Sequence, residues 1–297
     1  MRIFQVDAFT AARFTGNPAT VVLDADGLGD AVLQSVAREF SQAEVAFVYA
    51  ADAPDHDVRV RFFTPRKETP FVGHATIGAH AVLLELGRRG VGKMRQHSGT
   101  GVIEVTAHDA RGDTKALIEF RQTVPELEPP LAFKTTLRVA EALRLPATHL
   151  DEVMPARISR KGSTRLLVPV ADPAYLDGLQ PNNDTLQALG TELGAEGFFV
   201  FALNRSSDHL SVESRMFCPA LGIPEDPVSG NAHAMLAAYL WDLGQIRKSS
   251  ASFIGHQGRH VNRPGEVRVR LEVDQGHLAA VRIGGGAVIV SEGTLAF

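Results

Sequence analysis

Three ionisable residues stand where a proton could be moved: Glu44, His74 and Asp226. Glu44 lies in SQAEVAF, between the end of an apolar-periodic segment and an apolar strand. A carboxylate in such a place is often partly desolvated, which suits it to general acid/base work near neutrality. The alternative is a solvated glutamate at a strand start, and Glu196 occupies the matching place in the second half of the chain. His74 follows Gly73 at the start of a helical pattern. The positive end of a helix dipole there favours a neutral imidazole. Such a histidine either shuttles a proton and orients a carboxylate, or caps the helix. Asp226, in EDPVSGNAH, precedes a proline, and the alternative of a plain turn starter is strong there. Ser229, Gly230 and Asn231 follow it and offer donors at a second helix start.

Other chemistries find less support. His256 and His260 make an H-x-x-x-H pair in GHQGRH, but Gly255 and Gly258 argue against the helix that would align the rings, so a loop is expected. No H-E-x-x-H frame exists, no serine sits in a G-x-S-x-G elbow, and no metal site is expected. Cys218 stands alone, which removes an intrachain disulfide, a cysteine-rich zinc site and a paired-thiol mechanism. Gly284-Gly285-Gly286 reads as a flexible turn, since no Lys-Ser/Thr and no G-x-G-x-x-G frame surround it.

The elements that must position these residues occur twice. Residues 61–87 (RFFTPRKETPFVGHATIGAHAVLLELG) and 215–244 (RMFCPALGIPEDPVSGNAHAMLAAYLWDLG) share an R-x-F-x-P strand end, an acidic-x-Pro turn, Gly-His-Ala or Gly-Asn-Ala, and an apolar helix closing on Leu-Gly. The offset is 154 residues at Pro65/Pro219 and 157 at Gly73/Gly230, so the second copy carries three extra residues in its turn. Leu33-Gln34 and Ala43-Glu44 align more weakly with Leu186-Gln187 and Ala195-Glu196. A repeat this long means a duplicated domain. Two like domains are expected to form a cleft, where ligand sites preferentially sit.

Strand patterns are expected at Arg2–Phe9, Ala19–Leu23, Val45–Tyr49, Val58–Phe63, Val102–Thr106 and Ala116–Arg121, with helices over Asp30–Phe40, capped by Asp30, and after Gly73. Pro125–Pro130 (PELEPP) reads as a linker. The second half repeats the order: helix Thr185–Leu193, strands Phe198–Leu203 and Leu210–Phe217, helix Ala232–Leu243, strands Val267–Val273 and Leu278–Ile283. A helix apolar on most sides is one enclosed by other elements. Each domain is therefore expected to be an α+β unit, a mostly antiparallel sheet rolled around one helix.

The 297 residues suit two domains, and 44% hydrophobic with 22% charged content is that of a globular protein. A net charge of −4 leaves no basic stripe for nucleic acid, and Arg66-Lys67 and Arg88-Arg89 read as solvated loop charges. The N-terminal MRIFQVDAFT alternates like a strand rather than a signal peptide, and no window approaches 18 uninterrupted apolar residues. A cytoplasmic protein with no membrane partner is expected.

At these residues the chain resembles a known family. VDAFT…FTGNPATVVLDADGL, AEVAFV, RFFTPRKETPFVGHATIG, SRMFCPALGIPEDPVSGNAH and HQGRHVNRPGEV, in that order, are similar to the PhzF-like (phenazine-biosynthesis isomerase) family. The resemblance implies a fold like diaminopimelate epimerase: two pseudo-symmetric domains, each a sheet rolled around a central helix, the last strand returning to the first domain. Residues 1–124 with about 288–297 would form the first domain and 125–287 the second. It implies a homodimer and no cofactor. Glu44 matches the family's catalytic carboxylate, His74 the histidine of its G-H-P/A-T motif, and Asp226 the aspartate of its E-D-P-x-T-G-S-A motif. Gly73, Ser229, Gly230 and Asn231 fall on its substrate-binding turns.

Departures lie beside these positions. Ala43 and Val45 flank the glutamate where Ser and Ser/Thr are usual, Ser229 replaces Thr, Asn231 replaces Ser, and Ala75 takes the alanine option. The family's best-defined substrate type is dihydrohydroxyanthranilate. The expected function is a cofactor-independent isomerase that moves a proton on a small carboxylate-bearing substrate. The alternatives are a two-base amino-acid racemase or epimerase, and a non-catalytic protein that binds small carboxylates. Buried amides at both helix starts are expected to receive the carboxylate.

Overall fold

The computed structural model describes residues 1–40, 44–109, 117–204, 210–246 and 251–296. The chain divides into two compact units, Met1–Gln122 with Gly284–Phe297, and Thr123–Ile283. Unit 1 runs β1 (Arg2–Ala8), β2 (Asn17–Leu23), α1 (Asp30–Phe40), β3 (Val45–Ala50), β4 (Val58–Phe63), β5 (Glu68–Thr69), α2 (Gly73–Glu85), β6 (Gly92–Ser98), β7 (Gly101–His108) and β8 (Leu117–Gln122). Unit 2 runs β9 (Glu126–Pro130), α3 (Phe133–Ala142), β10 (Arg157–Lys161), β11 (Ser163–Pro169), α4 (Asn183–Leu193), β12 (Gly197–Asn204), β13 (Ser211–Cys218), β14 (Ile223–Asp226), α5 (Gly230–Asp242), β15 (Ser252–Gln257), β16 (Gly265–Asp274) and β17 (His277–Gly285). The last strand, β18 (Ala287–Thr294), returns to unit 1 and pairs antiparallel with β1 from Arg2↔Thr294 to Ala8↔Ala287.

Most pairs are antiparallel, and the parallel ones recur in register. In unit 1 β2 pairs parallel with β3 across α1, and β4 with β6 across α2. In unit 2 β11 pairs parallel with β12 across α4, and β13 with β15 across α5. Both units thus build the same two helical crossovers, which is the duplication seen as topology.

The central helices carry no charge before their last residue, so no side prefers water. α2 packs against β1, β2, β3, β7, β8 and β18. It buries Ala75, Thr76, Ile77, Gly78, Ala79, His80, Val82 and Leu83. Small residues let the strands close on it: a Cβ at Gly78 would touch Val6 and Val21 at 3.5 and 3.7 Å. α5 packs against β9, β10, β11 and β16, and its buried Tyr239 donates its hydroxyl to the Pro155 carbonyl at 2.7 Å.

Several expectations give way. Pro125–Pro130 is no linker, since Glu126–Pro130 is strand β9, paired with β10 through Ser159↔Leu127 and Arg160↔Glu126. Its two prolines fall at the strand end, where few ladder donors are lost. Gly284 and Gly285 end strand β17, and a Cβ at Gly284 would come within 3.3 Å of the Ile118 carbonyl oxygen. That glycine run serves close approach, not flexibility. Asp30 does not cap α1: Gly29 O accepts from Val32 and Leu33, and Asp30 instead accepts from Arg61 Nη1 at 2.8 Å. His256 lies on β15 and His260 in a 3₁₀ turn, Arg259–Val261, rather than in a loop. Arg89 is not a solvated loop charge: it is buried, meets His80 Nδ1 and donates to the carbonyls of Gly90 and Gly92. Among the described residues no helix is long and apolar enough to cross a membrane.

Candidate active site

Glu44 is set at the mouth of β3 by its own backbone, since its carbonyl accepts from Thr20 N at 3.3 Å. His74 is the second residue of α2. Their side chains meet: His74 Nε2 lies 3.3 Å from Glu44 Oε2, with the imidazole 11% and the carboxylate 19% exposed. Val72 precedes the helix in extended backbone and gives no side-chain cap. A Cβ at Gly73 would come within 3.0 Å of Phe120 Cζ, so glycine lets that ring lie against the helix start. The two atoms lie within ion-pair range but are not hydrogen-bonded to each other, and a sheltered carboxylate beside an imidazole suits acid/base work.

Unit 2 supplies an internal control. Glu196, the counterpart of Glu44, has its side chain 46% exposed. Its Oε2 accepts from Thr164 N at 2.8 Å and lies 3.4 Å from Arg165 Nη1. Strand register explains the difference. Thr20 pairs with Val45 and Arg165 with Gly197, so Arg165 occupies in unit 2 the place of Thr20 in unit 1. Thr20 Oγ1 is occupied by Gln5 Nε2 at 2.8 Å. The solvated strand-start glutamate is therefore Glu196, held by an arginine, whereas Glu44 faces an imidazole.

The remaining expected residues gather at the start of α5. Asp226 ends β14 opposite Met216, and its carbonyl accepts from Gln257 Nε2 at 2.7 Å. Ser229 caps α5, its Oγ accepting from Ala232 N at 3.3 Å. Asn231, at the position of His74, donates Nδ2 to Lys161 O at 3.2 Å and Ser163 Oγ at 2.7 Å. Glu44, Gly73 and His74 thus come together in unit 1, and Asp226, Ser229, Gly230 and Asn231 in unit 2. The expectation of open donors at both helix starts is narrowed: Ser229 satisfies one amide itself, and the Asn231 amide group is spent on neighbouring chain.

Sequence reasoning missed the groups that hold these turns. Arg61 grips Glu68 through two bonds, Nε–Oε1 at 2.7 Å and Nη2–Oε2 at 2.8 Å. Arg215 repeats this with Glu225 at 3.0 and 2.8 Å, and its third nitrogen donates to the carbonyls of Leu176 and Leu179. The R-x-F-x-P and acidic-x-Pro repeats contained the signal. Two fully buried histidines stand on the central helices, His233 in the first turn of α5 and His80 midway along α2. Burial holds His233 down to about 4, with Ser229 O accepting from its Nδ1 at 2.7 Å. Burial, and then the Arg89 cation, hold His80 down to about 3. Among the described residues no group of three or more His, Cys, Asp or Glu could hold a metal ion.

The family model described as phenazine biosynthesis-like protein matches residues 6–293. A protein of Escherichia coli K12 named uncharacterized isomerase YddE is 35% identical over 291 residues, covering 97% of this chain and 96% of that one. The crystal structure of a Bacillus anthracis phenazine biosynthesis protein of the PhzF family superposes with a TM-score of 0.88 at 27% identity, covering 100% and 99% of the two chains. A Pseudomonas aeruginosa structure described as a predicted epimerase gives 0.81 at 32% identity, covering 100% and 99%. A model match over nearly the whole chain, a relative of this identity and a shared two-unit α+β fold lead to one assignment: the chain belongs to the phenazine biosynthesis-like (PhzF) family.

Proposed function

We propose that the chain is an isomerase that moves a proton on a small carboxylate-bearing substrate by general acid/base catalysis, without a cofactor. The isomerase names of its relatives support the reaction type. The observation that carries the mechanism is the contrast between the two glutamates: Glu44 faces His74 at 3.3 Å, while Glu196 is held by Arg165 and a backbone amide. A base must be able to give up its proton to a second site, and an arginine partner would hold it as a spectator carboxylate.

Glu44 removes a proton from a carbon activated by a neighbouring unsaturated or carboxyl group and returns it elsewhere on the substrate. His74 and Asp226 orient the substrate and stabilise the charge that develops through hydrogen bonding. Gly73, Ser229, Gly230 and Asn231 contribute the turns that receive its carboxylate. A two-base inversion with Glu44 and His74 is disfavoured by distance: two bases that flank a carbon need room for it between them, and these atoms are 3.3 Å apart. A homodimer accompanies this reading on the strength of the family resemblance, and sedimentation velocity tests the dimer.

The chain is incubated in D₂O with dihydrohydroxyanthranilate and with other unsaturated and amino carboxylates, and deuterium incorporation is read by mass spectrometry. Wild-type exchange that Glu44→Gln abolishes is the expected result. Equal exchange in both excludes Glu44 as the base. A melting temperature raised by a carboxylate with no exchange at all would point to a binding protein instead.

A further inference from the structure

The turn from β14 into α5 is gripped, residue by residue, from β15 and the bend that follows it. Gln257 is 3% exposed, and its single carboxamide bridges two backbone groups. Oε1 accepts from Ser229 N at 3.0 Å and Nε2 donates to Asp226 O at 2.7 Å. Gly258, at φ +89°, lies so close that a Cβ would sit 2.6 Å from Pro227 O. From the helix side His233 meets Ser229 O through Nδ1 at 2.7 Å. A carbonyl only accepts, so Nδ1 carries the proton and Nε2 the lone pair. The ring fits because residue 255 is glycine: a Cβ there would stand 2.1 Å from His233 Cδ2 and Nε2.

Unit 1 fills these places differently. Val58↔Gln96 in β4–β6 corresponds to Val212↔Gly255 in β13–β15, so Ser98 stands at the position of Gln257 and Thr76 at that of His233. Ser98 Oγ turns to Thr100 Oγ1 at 3.1 Å.

We propose that Gln257 and His233 are positioning residues, which hold the Asp226–Ser229 turn in the one backbone geometry that aims Asp226 and the start of α5 at substrate. This rests on the roles given to Asp226 and Ser229 in the isomerase reading. The carboxamide is required because one arm must accept while the other donates. A carboxylate does the first and opposes the second, and an apolar side chain does neither.

Gln257→Met and Gln257→Glu in the full chain test it, with three readings: amide exchange at Ser229, melting temperature, and kcat and KM for deuterium incorporation into dihydrohydroxyanthranilate. In Gln257→Met, Ser229 loses exchange protection. Its kcat falls on the order of 10²-fold, as a displaced catalytic group costs, with KM little changed. Gln257→Glu regains a donor when its carboxyl is protonated, and burial against the Asp226 carbonyl favours that form, so its activity relative to wild type climbs as pH falls, while that of Gln257→Met does not. Nitrogen shifts of the His233 ring should show the Nδ1–H tautomer. Unchanged Ser229 protection in Gln257→Met, an Nε2–H His233, or activity that merely tracks the folded fraction with no acid recovery in Gln257→Glu overturns the proposal. A wild-type chain that exchanges no proton overturns the isomerase reading alone, and Ser229 protection still decides whether Gln257 holds the turn.

Discussion

Acid should unfold this protein earlier than its carboxylates alone would, and the cause is two neutral histidines. His80 and His233 are fully buried, with pKa values held near 3 and near 4 against an ordinary 6.5. Below pH 6.5 the unfolded chain takes up a proton at each residue that the folded chain refuses. Stability from both is therefore complete above the unfolded pKa, falls as the pH drops through 6.5, and levels off only under the folded value. At pH 5 the unfolded histidine lies about 1.5 pH units into its titration, so each residue has withdrawn about 2 kcal/mol from the unit that contains it. That figure barely depends on the folded value, provided it stays below about 4.5. Urea unfolding followed by far-ultraviolet circular dichroism at pH 7.5 and pH 5.0 measures it. His80→Gln and His233→Gln should each lose about 2 kcal/mol of the wild-type difference between the two pH values, whatever they cost at pH 7.5. Carboxylates such as Asp24 and Asp177, lowered by Arg88 and His260, add acid sensitivity common to all three proteins, so it cancels. Variants that keep the full wild-type pH difference would refute the assignment of neutral, buried rings.

The duplicated architecture gives three paired experiments. Glu196→Gln should leave deuterium exchange within about twofold of wild type, because exposed ion pairs carry little energy. Exchange lost in Glu196→Gln would assign the wrong glutamate. Arg215→Ala strips a buried carboxylate and two carbonyls of their partner and should cost about 3–5 kcal/mol in urea unfolding, whereas Arg61→Ala, at the more open copy, should cost about 1; equal losses would contradict the burial argument. Gly255→Ala drives a methyl into His233 and should cost about 1–3 kcal/mol. The pair His233→Thr with Gly255→Gln, which copies Thr76 and Gln96 of unit 1, should cost less than its two single changes summed, and simple additivity would deny that the positions share one space.

Legibility in the sequence followed how each element announces itself. The central helices were readable because thirteen residues with hardly a charge can only be enclosed. Strand Val58–Phe63 alternates cleanly and was found to the residue. Helix α3, which buries Thr136, Val139, Ala140 and Ala142, escaped although its apolar residues recur at helical spacing. β9 escaped because prolines read as a break, though at a strand end they cost little. At the site, Glu44 and His74 were visible as residue types at element boundaries. Their contact was not, since it depends on where β3 and α2 come to rest. Gln257 stood in view inside GHQGRH, but a glutamine that serves two backbone atoms leaves no pattern in its own neighbourhood.

The return of β18 to β1 has a temporal consequence. β1 is an inner strand, paired with β2 on one side and β18 on the other. Its first partner leaves the ribosome within seconds, but its second follows some 280 residues later, on the order of tens of seconds at ordinary elongation rates. Unit 2 is contiguous and has all its strands before then. The half that carries Glu44 and His74 must wait with one side of β1 unpaired, an open edge that invites wrong neighbours. Released chains truncated before residue 287 should hold a protease-resistant Thr123–Ile283 while Met1–Gln122 stays cleavable, so the site is completed last.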